Sequence, residues 1–190
     1  AKLKRTYDAL STQIEQTKQE ADHLESILTS LDLAESEADL AQIRDELASS
    51  GYIRRNYGND KKGRKEKSRP YHYRSSDGYD IYIGKNNYQN DDLTFRQAAP
   101  EDWWFHAKDI PGSHVIVQTQ GRDIPDRVFE QAASLAAHYS ASSGSSKVEV
   151  QYTQRRNLKK PPASRPGFVT FHTYYSMAAS TDIGQLQEIT

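Results

Sequence analysis

Cysteine is absent from the 190 residues, so neither a disulfide framework nor a thiolate metal site is available. That absence fits a reducing cytosol, and a cytoplasmic location is expected. No stretch has the length and apolarity of a membrane span, and no secretory leader is recognisable. Proline and glycine are missing before Gly51, so nothing interrupts helix over the first 50 residues. Apolar residues make up only 35% of the chain and mean hydropathy is −0.89, which leaves part of the length for solvated helix or loop. The chain begins at Ala1 inside a helical pattern and reads as a fragment. Catalytic motifs are missing too. His106, with Asp109 nearby, and His114, preceded by Ser113, have no G-x-S-x-G nucleophile turn and no H-E-x-x-H spacing around them. The expectation is a binding module and not an enzyme, with no cofactor and no metal.

Charge is present but segregated. The net charge is −1. Residues 1–50 hold 5 Lys/Arg against 11 Asp/Glu, whereas residues 51–75 hold 9 against 2. Residues 151–170 hold five basic residues and no acid. A near-neutral total is therefore compatible with an anionic partner, because local patches set such binding.

Leu3, Tyr7, Leu10, Ile14, Thr17, Ala21, Leu24, Leu28 and Leu31 repeat at 4-3 spacing, the pattern of a coiled-coil seam. Asp32 to Glu37 breaks the phase. Leu40, Ile43 and Leu47 then resume a helical stripe that stops near Ser49, with Gly51 suited to the helix end. Arg54 to Arg69 is basic and lacks apolar periodicity, as expected of a flexible tether or a phosphate-binding arm. From Tyr71 the pattern changes to strands: Tyr71–Arg74, Tyr79–Ile83, Trp103–Ala107, His114–Gln118, Val148–Tyr152 and Phe168–His172. Lys85-Asn86-Asn87 is expected as a turn, and Leu93–Ala99 as a short helix stopped by Pro100. Asp126–Ser140 is expected as a helix burying Val128, Phe129, Ala132, Leu135, Ala136 and Tyr139. The fold class is α+β: a mostly antiparallel sheet with packed helices, preceded by a helical coiled-coil arm. The division is residues 1–50 coiled-coil helices, 51–70 basic flexible linker, 71–175 the sheet-bearing domain and 176–190 an unassigned tail.

Two blocks carry a resemblance. IGKNNYQND at Ile83–Asp91 and WFHAKDIPGSHVI at Trp104–Ile116 resemble the signature of the NFACT-R domain. SSKVEVQYTQRRNLKKPPASRPGFVTF at Ser145–Phe171 extends it, and ELASSGYIRR at Glu46–Arg55 resembles the family's exit from its coiled coil. Residues 173–190 depart from the family pattern. NFACT proteins are ribosome-associated quality-control factors, and their bacterial, RqcH-type members are also labelled fibronectin- or fibrinogen-binding. The resemblance implies a module that binds RNA or ribosome. Its parent binds the large ribosomal subunit obstructed by peptidyl-tRNA and recruits alanyl-tRNA for alanine tailing. The alternative is a surface adhesin fragment that binds fibronectin or fibrinogen and reaches the cell surface without a signal peptide. Self-association through the coiled coil is a further expected contact.

Three constellations supply candidate nucleic-acid contacts. Arg155, Arg156, Lys159 and Lys160 lie in a loop stiffened by Pro161, Pro162 and Pro166, and arginine forks suit phosphates; the plainer alternative is a solvated loop. Lys85, Asn87 and Asn90, with Asn86 and Asp91, offer charge and amides to base edges or ribose, although Asn and Asp also fill ordinary turns. Trp104, His106, Lys108 and His114 form the third, in which an exposed Trp104 could stack on a base and a buried one is core.

Overall fold

The computed structural model describes residues 2–54 and 67–189. Most of the expected tether over 54–69 lies outside the described residues. The long run without glycine or proline forms one helix, α1, over Lys2–Leu33. The chain then turns, and Ser36 caps α2, Glu37–Ser49, in a reciprocal capping box with Asp39. The Ser36 hydroxyl accepts from the Asp39 amide at 3.1 Å while an Asp39 carboxylate oxygen accepts from the Ser36 amide at 3.2 Å. Gly51, at φ +82°, sits just past the helix end. The seam of α1 faces solvent: all nine of its positions are exposed, Leu3 at 87%. What α1 buries against α2 is a different and more polar stripe, His23, Ile27 and Ser30.

Six strands form one antiparallel sheet in the order β1-β2-β4-β3-β5-β6. They are β1 Tyr71–Arg74, β2 Asp80–Ile83, β3 Trp103–Ala107, β4 Val115–Val117, β5 Lys147–Gln154 and β6 Tyr175–Ser180. Alternation sorts the side chains onto two faces. Ile81, Ile83, Phe105, Ala107, Val115, Val117, Val148 and Val150 meet helix α4, Asp126–His138, whose alanines at 132, 133, 136 and 137 allow close approach. On the other face Trp104 and Ile116 pack with Leu93 and Leu158, and Phe95, Val169 and Phe171 close over them. Burying both faces removes apolar surface from water at about 25 cal/mol per Å², and on the second face the covering layer is largely irregular chain.

Three expectations are corrected. The turn expected at Lys85-Asn86-Asn87 is the start of a helix. Asn86 is an N-cap whose side-chain oxygen accepts from the Gln89 amide at 3.0 Å, and helix α3 runs over Asn87–Asp92. It continues as a π-helical turn, Leu93–Gln97, closed by Ala98 N–H donating to Leu93 C=O at 2.9 Å. Phe168–His172 is not a strand. Thr170 and Lys159 exchange two backbone hydrogen bonds of 2.9 Å in an isolated bridge, and Val169 and Phe171 turn onto the second face. The last strand lies further on, in the tail. Tyr175, Met177 and Ala179 of β6 pair with Tyr152, Val150 and Val148. Beyond β6 the chain returns to the opposite edge, where Ile189 N–H donates to His72 C=O at 2.6 Å.

Gly84, between β2 and α3, marks the tightest approach. A Cβ there would lie 2.1 Å from Asn90 Oδ1 and 2.9 Å from the Asn90 amide nitrogen. That same oxygen accepts from the His114 amide at 3.0 Å. Gly84→Ala is predicted to cost about 1–3 kcal/mol in urea unfolding. Gly144→Ala, where a Cβ meets nothing within 4 Å, should stay within about 0.5 kcal/mol. Equal midpoints for the two variants would contradict this reading.

Candidate functional site

The amide-rich signature is a joint between the helical arm and the sheet. Asp39, Ile43 and Glu46 lie on one face of α2 and are each 1–2% exposed. The two carboxylates are taken up by side chains from the rest of the fold. Glu46 Oε1 accepts from Asn87 Nδ2 at 2.8 Å and lies 3.0 Å from His23 Nε2. Arg165, from the basic loop, bonds the other ring nitrogen of His23 and reaches the Tyr52 hydroxyl at 3.3 Å. An arginine only donates, so His23 Nδ1 accepts and Nε2 carries the proton that bonds Glu46. The Asn87 amide also donates to Ser26 at 2.9 Å. Asn86 and Gln89 converge on the Gln42 side-chain oxygen at 2.7 and 2.9 Å.

Asp39 is the second anchor. Burial pushes its carboxyl upward, and the Ser68 hydroxyl, the Glu35 amide, the Lys85 ammonium and the Ser36 hydroxyl together more than reverse that, leaving it below the usual carboxylate range. Lys85 is 13% exposed, 3.5 Å from Asp39 and over the Tyr71 ring at 4.3 Å. The joint therefore uses the polar groups of Lys85 and Asn87 internally, while the Asn90 side chain accepts from the His114 amide beside it. A buried ion pair of this kind costs about 3–5 kcal/mol when one member is removed.

His114 is buried as well. Its Nδ1 is 2.8 Å from the Thr94 hydroxyl, which the π-helical turn points inward. Its ring packs edge-on to Trp104 at 5.3 Å and to His106 at 5.5 Å. His106 is half-buried and parallel to Trp104 at 5.6 Å. Trp104 itself is 1% exposed and belongs to the core; no face of it is open to a base. Among the described residues no group of three or more His, Asp or Glu is placed to hold a metal ion.

The basic loop lies across α3. Lys160 Nζ contacts Asp91 at 2.5 Å and donates to the Arg165 carbonyl at 2.8 Å, and Gly167 N–H donates to the same Asp91 oxygen at 2.9 Å. Arg155 donates to the Thr94 carbonyl at 2.5 Å and stacks over Phe95 at 4.9 Å. Arg156 and Lys159 are exposed. Their backbones are pinned by Arg156 N–H to Pro100 C=O at 3.0 Å and by the Lys159–Thr170 bridge. Lys108 stands apart on the far side of β3, in an exposed ion pair with Glu149 at 2.9 Å. Of the ten candidate contacts, Arg156 and Lys159 have no side-chain partner among the described residues and present exposed cationic ends on a fixed backbone.

The signal for the joint was present in α2. Asp39, Ile43 and Glu46 share helical spacing, and two acids flanking an isoleucine on one stripe mark a buried polar contact. The Leu40–Ile43–Leu47 stripe competes with it, yet Leu40 remains 48% exposed.

Burial lowers the pKa of His114 well below the usual imidazole value, and the neighbouring His106 adds to the shift; His106 is lowered by burial too. Both are neutral in the fold. The unfolded chain binds their protons below about pH 6.5, so their contribution to stability is full above that pH and is lost as pH falls through it. Depressed Asp39 and Asp80 act only near and below the carboxylate range. The thermal midpoint is predicted to fall between pH 7.5 and 5.5, with a smaller fall in His114→Gln. A midpoint independent of pH in the wild type would contradict this.

Comparison with known proteins supplies the family. A family profile described as NFACT N-terminal and middle domains matches residues 1–67, and one described as NFACT protein RNA binding domain matches residues 69–173. The protein named Rqc2 homolog RqcH from Streptococcus suis is 43% identical over 171 residues, 90% of this chain and 30% of that protein. The protein of the same name from Bacillus subtilis is 37% identical over 186 residues, 95% of this chain and 31% of that protein. The chain thus spans about 30% of the length of these relatives. A solved structure, the C-terminal part of the fibronectin/fibrinogen-binding protein from Streptococcus suis, superposes with TM-score 0.84 at 40% identity, covering 94% of this chain and 70% of that one. With consecutive profile matches over residues 1–67 and 69–173, the chain belongs to the NFACT family.

Proposed function

We propose that this chain is the RNA-binding module, with part of the helical arm, of a bacterial ribosome quality-control factor. Its parent binds large ribosomal subunits obstructed by peptidyl-tRNA and recruits alanyl-tRNA for alanine tailing. The match to an RNA-binding domain over residues 69–173, in relatives named RqcH, supports the coarser role in ribosome quality control. The observation that carries the reading in this fold is the pair of exposed cations, Arg156 and Lys159, on a backbone pinned to Pro100 and Thr170. A fixed loop loses less entropy on meeting a phosphate backbone than a mobile one. Arg155 and Lys160 add charge from behind while holding the loop in place. The buried residues Asn87, Asn90 and His114 act by shaping the platform, as Lys85 does through Asp39, while Lys108 stands apart in its pair with Glu149.

The module binds and does not catalyse in this reading, and its place of action is the cytoplasm. No helix among the described residues is long and apolar enough to cross a membrane. The exposed seam of α1 is the surface through which the arm would self-associate or pair with further helix. A second reading, adhesion to fibronectin or fibrinogen, comes from the name of the Streptococcus suis protein whose fold this chain shares.

Arg156→Ala/Lys159→Ala is predicted to weaken binding to purified large subunits and to total tRNA about tenfold at 0.15 M salt. It should also reduce the slope of log affinity against log salt by about 1 to 2. Excess fibronectin should not displace either RNA ligand. Unchanged affinity in the double variant, or displacement by fibronectin, would overturn the proposal.

A further inference from the structure

The α4 side of the sheet carries a second feature that the basic loop does not use. The buried residues of α4 run from Val128 to Ala137, and its first turn leaves the corner of β3, β5 and β6 uncovered. Four aromatic rings gather in that corner. Tyr152 and Tyr175 face each other across the β5–β6 ladder, stacked at 5.5 Å and 27°. Trp103 lies 6.0 Å from Tyr152 and 6.3 Å from Tyr175, and packs edge-on to Phe129 at 4.8 Å. Together they line an open groove of about 760 Å³. Tyr175, on the edge strand, is 58% exposed, while Trp103, Tyr152 and Phe129 are half-buried. An open aromatic face on a short edge strand is costly unless something covers it.

The charge around the groove constrains what that is. Asp126, Glu130 and Lys147, all exposed, line it with the rings. The two carboxylates accept hydrogen bonds from exocyclic amines, and Lys147 offsets part of their repulsion of a phosphate. A second groove, about 480 Å³, meets the first at Trp103 and Phe129 and carries Arg156. Arg122 lines it too but is turned onto the Tyr79 ring at 4.2 Å and the Thr119 carbonyl at 3.4 Å. Glu101 and Asp123 share it, so the charge left beside Arg156 suits one phosphate and not a run of them. Burial, with the nearby Tyr175 and Asp126, raises the pKa of Tyr152 and keeps its hydroxyl a donor. Aromatic rings for a base, carboxylates for its amines and one arginine for its phosphate form a nucleotide-sized arrangement.

We propose that this groove takes one unpaired base of a single-stranded RNA, stacked on Tyr175 and Trp103, with the adjoining phosphate on Arg156. The inference rests on the RNA-binding reading above and adds to it a place for an unstacked base. An aromatic groove flanked by carboxylates could also hold a cationic peptide. The groove's continuity with Arg156 favours RNA, because an arginine in the same channel opposes a cationic peptide.

Fluorescence distinguishes these cases. The chain has two tryptophans, and Trp104 is 1% exposed, so quenching by an added ligand reports Trp103. The full chain is titrated with hexa-adenylate, with an abasic ribose-phosphate hexamer and with an arginine-containing hexapeptide. Anisotropy of fluorescein-labelled hexa-adenylate follows binding in parallel. Hexa-adenylate should quench saturably and the abasic hexamer should not. Tyr175→Ala, at an exposed edge position and checked for folding by circular dichroism, should weaken hexa-adenylate binding about tenfold. Binding by anisotropy without quenching, and without loss in Tyr175→Ala, overturns the groove while leaving the RNA-binding reading intact. Quenching by the peptide and not by RNA also overturns it. Absence of any RNA binding by anisotropy removes both.

Discussion

Two carboxylates buried on one helix decide how this molecule is put together. Asp39 and Glu46 of α2 are each 1% exposed, and neither can stay there without donors. The donors come from three separate places. Asn87 and Lys85 come from the β2–α3 segment, His23 from the middle of α1, and Ser68 from just before β1. Arg165 then draws the basic loop onto the same joint through His23. One network of this kind locks two helices, a helix N-terminus and a surface loop into a single relative position. An apolar contact of similar area would tolerate sliding, whereas paired charges with fixed hydrogen-bond geometry specify one register.

The joint explains why the second face of the sheet is covered by irregular chain. Asp91, at the end of α3, holds Lys160 and the Gly167 amide, so the loop from Arg155 to Phe171 is laid over Trp104, Leu93 and Ile116. That placement leaves Arg156 and Lys159 facing solvent while Arg155 and Lys160 serve the fold. It also puts Arg156 at the boundary between the two faces, next to the aromatic corner formed by Trp103, Tyr152 and Tyr175. The basic loop and the aromatic corner are thus neighbours, although they belong to opposite sides of the sheet.

Much of the fold was legible in the sequence. Aromatic content located β3 at Trp103–Ala107 to the residue, and the 3.6-residue pattern located α4 but carried it past His138 to Ser140. The tail was not legible, because after Tyr175 β6 is built from Ser, Met and Ala, which carry little strand preference and pair along the edge that β5 offers. Phe168–His172 alternates as a strand should, but Val169 and Phe171 are satisfied by packing on the second face. The candidate site was legible in composition but not in which of its residues face outward. Asn86, Asn87 and Asn90 have the chemistry of base recognition, yet the same amides cap a helix and hold a buried acid, and nothing local distinguishes the two. Which tryptophan lies nearer solvent was illegible for a similar reason: alternation separates the faces, but the cover over Trp104 comes from a loop distant in sequence.

The claim that the carboxylate joint fixes the arm on the sheet is tested most directly by a distance distribution. The cysteine-free sequence allows two spin labels to be placed, at Lys18→Cys on α1 and Ser143→Cys beyond α4, for pulsed electron–electron dipolar spectroscopy. The wild-type background should give one narrow distance peak, and Glu46→Ala should broaden it while circular dichroism still shows the folded sheet and helices. A broad distribution in the wild-type background, or a peak that Glu46→Ala leaves unchanged, would contradict the account.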